Sequence, residues 1–392
     1  MKKKRHIFLT LWLATTGAIG IATAQTADYA AFLREVAARS PQLAAAEKEH
    51  TASVRQLRTG LAPDDPSVAL EYYFVGETRY ELAFEQAFDF PTVYHQRNKI
   101  SKLGISKAEQ EHRTAQRAVM GEVSDAYLRL VYATERIEIF SRRRDALRQA
   151  VELYRKGIEN GSTTLIELRN AGMLLTEAAD NLAVAEAEHA EAALALAQLN
   201  GGTAIAAQGY PTFAFSGTRD EFVQAALAAD YELEAAAIDT LIARRTLKLS
   251  RQAWLPKLTV GYKVEIEGHK GTNALLAGIS LPLWQNIGST RAAKAARDAA
   301  EARHEAVATQ AEARLKALYE RFRILSSTLA TRQTAHASDN YPQLIEKAIK
   351  GGELTAIDAL LALSEWYALS DNLTTLKYEV AQAGAAMALC LL

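Results

Sequence analysis

The sequence predicts a mainly α-helical chain with a small β part, built twice over. Three observations predict it: an internal repeat about 190 residues long, two pairs of short alternating segments, and very long stretches with sevenfold apolar spacing. Pro66, Val68, Leu70 and Tyr72 recur as Pro256, Leu258, Val260 and Tyr262, 190 positions later. Lys156, Ile158, Gly161, Thr164, Ile166 and Glu167 recur as Lys347, Ile349, Gly352, Thr355, Ile357 and Asp358, 191 positions later. One residue of slip over that distance argues for a duplicated unit, and the period is too long for a solenoid of short repeats.

The order of elements follows from local pattern. Lys2, Lys3, Lys4 and Arg5 precede an apolar run from Ile7 to Ile21, and Ala22-Thr23-Ala24 is a small-x-small cleavage site. Residues 1–24 are therefore expected to be a secretory signal. Residues 25–200 form the first repeat, 201–218 a connector with four glycines and Pro211, and 219–392 the second repeat. Each repeat opens on an Ala-rich helix, Asp28–Leu61 and again Glu221–Trp254. Two alternating segments follow, and then two long helical stretches, Val93–Glu159 with Thr163–Leu199 and Ser289–Lys350 with Leu354–Leu389.

The alternating segments predict hairpins with one apolar and one charged face. Leu258, Val260, Tyr262, Val264 and Ile266 fall on one side, and Thr259, Gly261, Lys263, Glu265 and Glu267 on the other. Leu275, Ala277, Ile279 and Leu281 continue the pattern beyond the turn Gly268–Gly271. In the first repeat Tyr80, Leu82, Phe84, Phe88 and Phe90 alternate with Glu81, Ala83, Glu85, Ala87 and Asp89, with Gln86 the one polar break. Their partner is Ser67–Val75, across Gly76-Glu77-Thr78-Arg79. Such a hairpin suits a soluble core or an outer-membrane barrel. Strands of about ten residues fit a tilted bilayer crossing, and the helices leave no other sheet for the apolar faces to cover. Four strands cannot close a barrel alone, so on this reading several copies share one, twelve strands from three chains or eight from two. Trp254 and Trp284 flank the second hairpin, where aromatics sit at a membrane interface, and packing beneath the barrel explains them equally well.

Val123, Leu130 and Ile137 recur every seven residues, as do Ala126, Ala133, Phe140 and Leu147, then Leu168, Leu175 and Leu182, and Leu315, Phe322 and Leu329. That spacing keeps an apolar seam against a partner helix. A helix of about 65 residues is roughly 100 Å long, which requires an elongated bundle or tube.

Composition excludes several classes. Loss of the signal removes four positive charges and takes the formal net charge from −1 to −5, giving no footprint for nucleic acid. The single cysteine, Cys390, allows no intramolecular disulfide and no lipid attachment after the cleavage site. No HExxH, no Cys/His cluster, no GxSxG elbow and no phosphate-cradling loop occur, so neither a metal site, a cofactor nor an enzyme is expected. His189, on the Leu168–Leu182 seam, reads as a packed histidine.

Signal, duplication, hairpins and helix pairs together resemble the TolC family of outer-membrane efflux proteins over essentially the whole mature chain. Asp65-Pro66-Ser67-Val68 and Leu255-Pro256-Lys257-Leu258 look like the family's helix-to-strand junctions, and Ser280-Leu281-Pro282-Leu283 like the exit from its fourth strand. Tyr154–Ser162 with Leu165, and Ala348–Gly352, look like its two periplasmic tips. The resemblance, closer to the heavy-metal and drug efflux branches, implies a homotrimer. Four strands per chain would form a twelve-stranded barrel in outer-membrane lipid, and the duplicated helical hairpins a periplasmic tunnel. It implies a passive exit duct with no cofactor, docked on a periplasmic adaptor that links to an inner-membrane pump. Type I protein secretion, or a soluble periplasmic coiled-coil scaffold of a different class, are the alternatives.

By the same resemblance, Gly161, Ser162, Thr163, Leu165, Gly351, Gly352 and Thr355 are expected at the adaptor-docking tips. Tight turns there also want residues that tolerate positive φ. Glu167 and Asp358 occupy matching repeat positions and would each form a threefold ring of carboxylates, a candidate lumen gate. A shared structural role explains their matching equally well.

Overall fold

The structure, a computed structural model, describes residues 24–74, 79–267, 270–336, 341–351 and 353–392. The signal segment before Ala24, the turn residues 75–78 and 268–269, and Gly352 lie outside the described residues. The first half contains Ala24–Arg39 (α1), Pro41–Gln56 (α2), Ser67–Tyr73 (β1), Arg79–Phe88 (β2), Pro91–Glu159 (α3) and Leu165–Leu199 (α4). After the connector come Arg219–Ala228 (α5), Tyr231–Gln252 (α6), Lys257–Glu267 (β3), Lys270–Ser280 (β4), Ser289–His336 (α7), Tyr341–Gly351 (α8) and Ala356–Cys390 (α9).

Two helices read as continuous are divided. The stretch Asp28–Leu61 breaks at Ser40, which is extended at φ −67°, ψ 125°, with Pro41 opening the next helix where its missing N–H costs nothing. Glu221–Trp254 breaks at the matching position, Asp230. Its Oδ1 accepts from Glu232 N at 3.0 Å and Leu233 N at 3.1 Å, capping α6. Within Ser289–Lys350 the described helices are α7 and α8, with Pro342 in the first turn of α8, and residues 337–340 between them lie outside the described residues.

The breaks explain how columns of unequal helices match. α3 alone has 69 residues, roughly 100 Å. α4 runs back beside one part of it and α2 beside another. Gln198 and Leu199 at the end of α4 and Pro41 and Gln42 at the start of α2 line one cavity of about 740 Å³. The two helices thus continue each other alongside α3. On the other flank of α3 lie α6 and α9. They also meet end to end, since Tyr231 Oη donates to Leu392 O at 3.1 Å. α7 packs on α6 and α9. The wall therefore has four columns, in the order α2/α4, α3, α6/α9, α7.

Most of the sevenfold seam is buried: Val123, Leu130, Ala126, Ala133, Phe140, Leu147, Leu182 and Leu315 lie in the interior, while Ile137, Phe322 and Leu329 are half-buried. In α4 the deeper seam is one of alanines. Ala171, Ala178, Ala185 and Ala192 are buried while Leu168 and Leu175 are only half-buried. A methyl side chain lets two helix axes approach closely, so the alanine line faces α3 and the leucines flank it.

The main core joins α1 to the wall. Tyr29, Leu33 and Val36 pack on Val123, Tyr127, Leu130 and Val131 of α3, on Leu196 and Leu199 of α4 and on Ala381 and Ala385 of α9. The connector is strapped over this core. Tyr127 Oη donates to Gly209 O at 3.0 Å, and the Phe213 ring lies on α9 at Gly384, where a Cβ would come within 2.5 Å of it. A second cluster sets Phe222, Val223 and Ala226 of α5 on Leu315 and Met387.

The strands form one antiparallel sheet in the order β1-β2-β3-β4, so β2–β3 pairing joins the two hairpins. No described helix is long and apolar enough to cross a membrane.

Candidate channel wall and tip surfaces

The register sorts the sheet into two faces. Val68, Phe84, Tyr262 and Leu275 form one row across all four strands, and Phe88, Leu258 and Ile279 another. These side chains are exposed, Leu275 by 85% and Val68 by 66%. Leu70, Leu82, Val260 and Ile266 share that face and are exposed too. A contiguous apolar sheet face in water is unstable and marks a partner or a membrane. Gln86, on the same face, is satisfied locally, since its Nε2 donates to Asp64 O at 2.6 Å and to Ala87 O at 2.9 Å. It fastens the loop before β1 to β2.

The opposite face is polar and laced with charge. Glu71, Glu81 and Glu265 stand directly opposite one another across β1, β2 and β3. Like charges in that arrangement repel. Lys263 offsets them by pairing with Glu81, Arg79 by pairing with Glu265, and Tyr73 Oη donates to Glu71 at 2.9 Å and Glu81 at 3.1 Å. The outer strands β1 and β4 each have one edge with no partner strand among the described residues.

At the tips, sequence dictates the turn. Gly161 has φ +71°, a region that L side chains avoid. Ser162 N donates to Gly157 O at 2.9 Å and Gly161 N to Ile158 O at 3.1 Å, closing the last turn of α3. Gly157 is needed as well, because a Cβ there would fall 2.1 Å from Thr163 Oγ1. In the second tip Glu353 N donates to Ala348 O at 2.9 Å, the same bond 191 residues later. Gly351 ends α8 at an exposed position.

Thr164 and Thr355 cap the returning helices. Glu167 N donates to Thr164 Oγ1 at 3.3 Å, and Thr164 N to Glu167 Oε2 at 2.6 Å, a reciprocal capping box. Asp358 N donates to Thr355 Oγ1 at 3.3 Å, and Thr355 Oγ1 donates to Asp358 Oδ2 at 2.6 Å. Of the two residues expected at a gate, Glu167 therefore completes the cap of its helix, and Asp358 braces the Thr355 hydroxyl that caps its own. Around the first tip Leu165 (73% exposed), Ile166 and Leu153 project outward, as Leu344 and Leu361 do near the second.

One tie between the halves has no sequence signal. Arg143 on α3 reaches Asp371 on α9 with both terminal nitrogens, at 2.9 and 2.6 Å, across 228 residues. Its guanidinium lies 4.2 Å from the Tyr367 ring centroid and 4.9 Å from that of Phe140. The arginine side chain is 8% exposed.

Electrostatics in the wall are uneven. Burial pushes the Glu135 carboxyl up, Lys377 pulls it back and Glu138 adds to the rise, and Glu135 Oε2 is buried without a hydrogen-bond partner. A carboxyl whose pKa is raised by folding binds its proton more tightly in the native state. Its penalty is absent below the unfolded carboxylate range and grows as pH rises through that range. Glu135→Gln is therefore expected to raise the thermal midpoint at about pH 7, with the gain vanishing near pH 4. Midpoints measured at the two pH values check this, and an equal change at both would assign the effect to packing. His189 is half-buried on its seam. Among the described residues no group of three or more His, Cys, Asp or Glu side chains is arranged to hold a metal ion.

Residues 96–202 match the family model described as outer membrane efflux protein. No curated protein sequence matches the chain. Among solved structures, the outer-membrane channel OprN superposes with a TM-score of 0.78 at 16% identity, over 96% of this chain and 97% of that one. The outer membrane protein VceC from Vibrio cholerae gives 0.75 at 18% identity, over 93% and 95%. The open state of the Neisseria gonorrhoeae MtrE outer membrane channel gives 0.76 at 17%, over 93% and 88%. The resemblance read from the sequence is borne out in two ways: residues 96–202 match the outer membrane efflux protein model, and the chain shares the fold of solved outer-membrane channels over nearly its whole length.

Proposed function

We propose that this chain is one subunit of a homotrimeric exit duct of the outer membrane, the passive last stage of a tripartite efflux pump. The carrying observation is the sheet, whose apolar face is exposed across four strands, whose other face is charged and whose two edges have no partner strand among the described residues. Three such sheets joined edge to edge give twelve strands with lipid outside and a polar lumen inside. The columns of helix below continue that lumen as a periplasmic tunnel. No step in this role needs a cofactor or bond chemistry, so the reading is of a channel, not an enzyme. Conductance across a planar bilayer, with oligomeric mass measured on the detergent-extracted protein, tests it. Discrete steps from a trimer are expected, and a water-soluble species without conductance would leave only a scaffold.

Adaptor docking belongs at the tips, on Gly161, Ser162, Thr163 and Leu165 and on Gly351, Gly352 and Thr355. Support comes from the exposed leucines and isoleucine beside tightly fixed turns, an apolar, preorganised surface. Glu167 and Asp358 stay candidates for a cation-favouring ring in the trimer. Glutamine serves a capping box as glutamate does, so Glu167→Gln separates the roles. With a gate, cation selectivity falls while the thermal midpoint holds; unchanged reversal potentials in a salt gradient would leave Glu167 as a cap alone.

A further inference from the structure

The strands meet the helices through a shaped collar. Between β4 and α7, Leu283 N donates to Leu281 O at 3.0 Å, Ile287 N to Trp284 O at 3.2 Å, and Gly288 turns the chain at φ +83°. Asn286 Nδ2 donates to Ala253 O, just after the end of α6. Held this way, the segment exposes Leu281, Leu283, Ile287 and Trp284, the last by 77%. They extend the apolar face of the sheet toward the helices.

Beside them opens a cavity of about 480 Å³ whose lining is polar as well as apolar. Asp89, its side chain 8% exposed, takes Arg97 Nη2 at 2.8 Å and Lys257 Nζ at 3.4 Å. Lys257 divides itself, lying 3.4 Å from Asp64 as well. Both distances exceed a good N–H···O bond, and a guanidinium has more donors than one carboxylate oxygen uses. Gln252 Oε1 lines the same cavity, buried without a partner. The site thus holds under-used cations, one orphan acceptor and an apolar collar with a tryptophan.

We propose that this cavity binds the headgroup of a phospholipid bearing a primary ammonium. The phosphate goes to Arg97 and Lys257, the ammonium N–H to Gln252 Oε1, and the acyl chains lie over Leu281, Leu283 and Ile287. Trp284 then sits at headgroup depth, where indole is favoured. The inference rests on the sheet lying in a membrane, and it adds which lipid chemistry the collar selects.

Native mass spectrometry of the detergent-extracted protein tests it, with dioleoyl phosphatidylethanolamine compared with dioleoyl phosphatidylcholine, whose trimethylammonium has no N–H. Wild type is expected to retain the ethanolamine lipid about tenfold more, the size of one charge-assisted hydrogen bond. Gln252→Leu removes an orphan acceptor, so it should fold normally and lose that preference. Trp284→Ala should lower retention of both lipids. Equal retention of the two lipids by wild type would overturn the proposal. So would retention unmoved by either variant, or a Trp284→Ala protein that dissociates while wild type carries no lipid, which would make the collar a contact between copies. Discrete conductance from a trimer that retains the two lipids equally would sink the headgroup site and leave the duct standing.

Discussion

Val260→Arg is expected to abolish membrane assembly while leaving the helical wall intact. Val260 lies in mid-strand on the apolar face, 54% exposed, between Gln86 and Ala277 in the register. An arginine facing lipid near the bilayer midplane costs about 2–4 kcal/mol, and a trimer carries it three times. No acid stands near on that face to neutralise it, because Glu81, Glu85 and Glu265 point the other way. The check is the fraction recovered in heat-stable oligomer from membranes against the total chain. Thr259→Arg, one residue away on the polar face, is the control and should assemble. If both variants assembled equally, the apolar face would be covered by protein, and the soluble scaffold would become the better account.

Asp371→Ala carries the second large effect. It would leave the Arg143 guanidinium buried between Phe140 and Tyr367 without its anion. Stranding one member of a buried pair costs about 3–5 kcal/mol. Asp371 itself is 37% exposed, so water offsets part of this and about 2 kcal/mol is the expected loss. Arg143→Met with Asp371→Ala removes both charges and should regain most of it, since the guanidinium already lies over two rings that an apolar side chain can cover. Thermal midpoints of the single and double variants at one protein concentration give the coupling. Additive losses would mean that the pair stands in water and ties nothing.

These ties show where sequence reading reached its limit. The duplication, both hairpins with their faces and the sevenfold seams were legible, because each is a local period or a direct self-comparison. The pairing of β2 with β3 was not, since it joins residues about 180 apart and no local pattern fixes which hairpin edge meets which. Arg143 and Asp371 were invisible for the same reason. Other features were legible and passed over. Ser40-Pro41 is a helix start in plain letters, yet an Ala-rich stretch on both sides outweighed it. Thr164-x-x-Glu167 spells a capping box, and the structure draws the Glu167 carboxylate into that task, while Asp358 accepts only from the Thr355 hydroxyl. The alanine seam of α4 was hidden because leucine seams draw the eye, although the smaller residue brings helices closest.

The two raw edges of the sheet bear on how such a protein is made. β1 and β4 offer unpaired backbone donors and acceptors, and in hydrocarbon each unsatisfied group costs several kcal/mol. On the proposed duct a lone chain has no comfortable state in the bilayer, so insertion and assembly would be a single event. The supply of finished ducts then depends on encounters between chains. When the chain is scarce, halving its synthesis should reduce the number of ducts by more than half, and a defective copy should spoil the sound ones it joins.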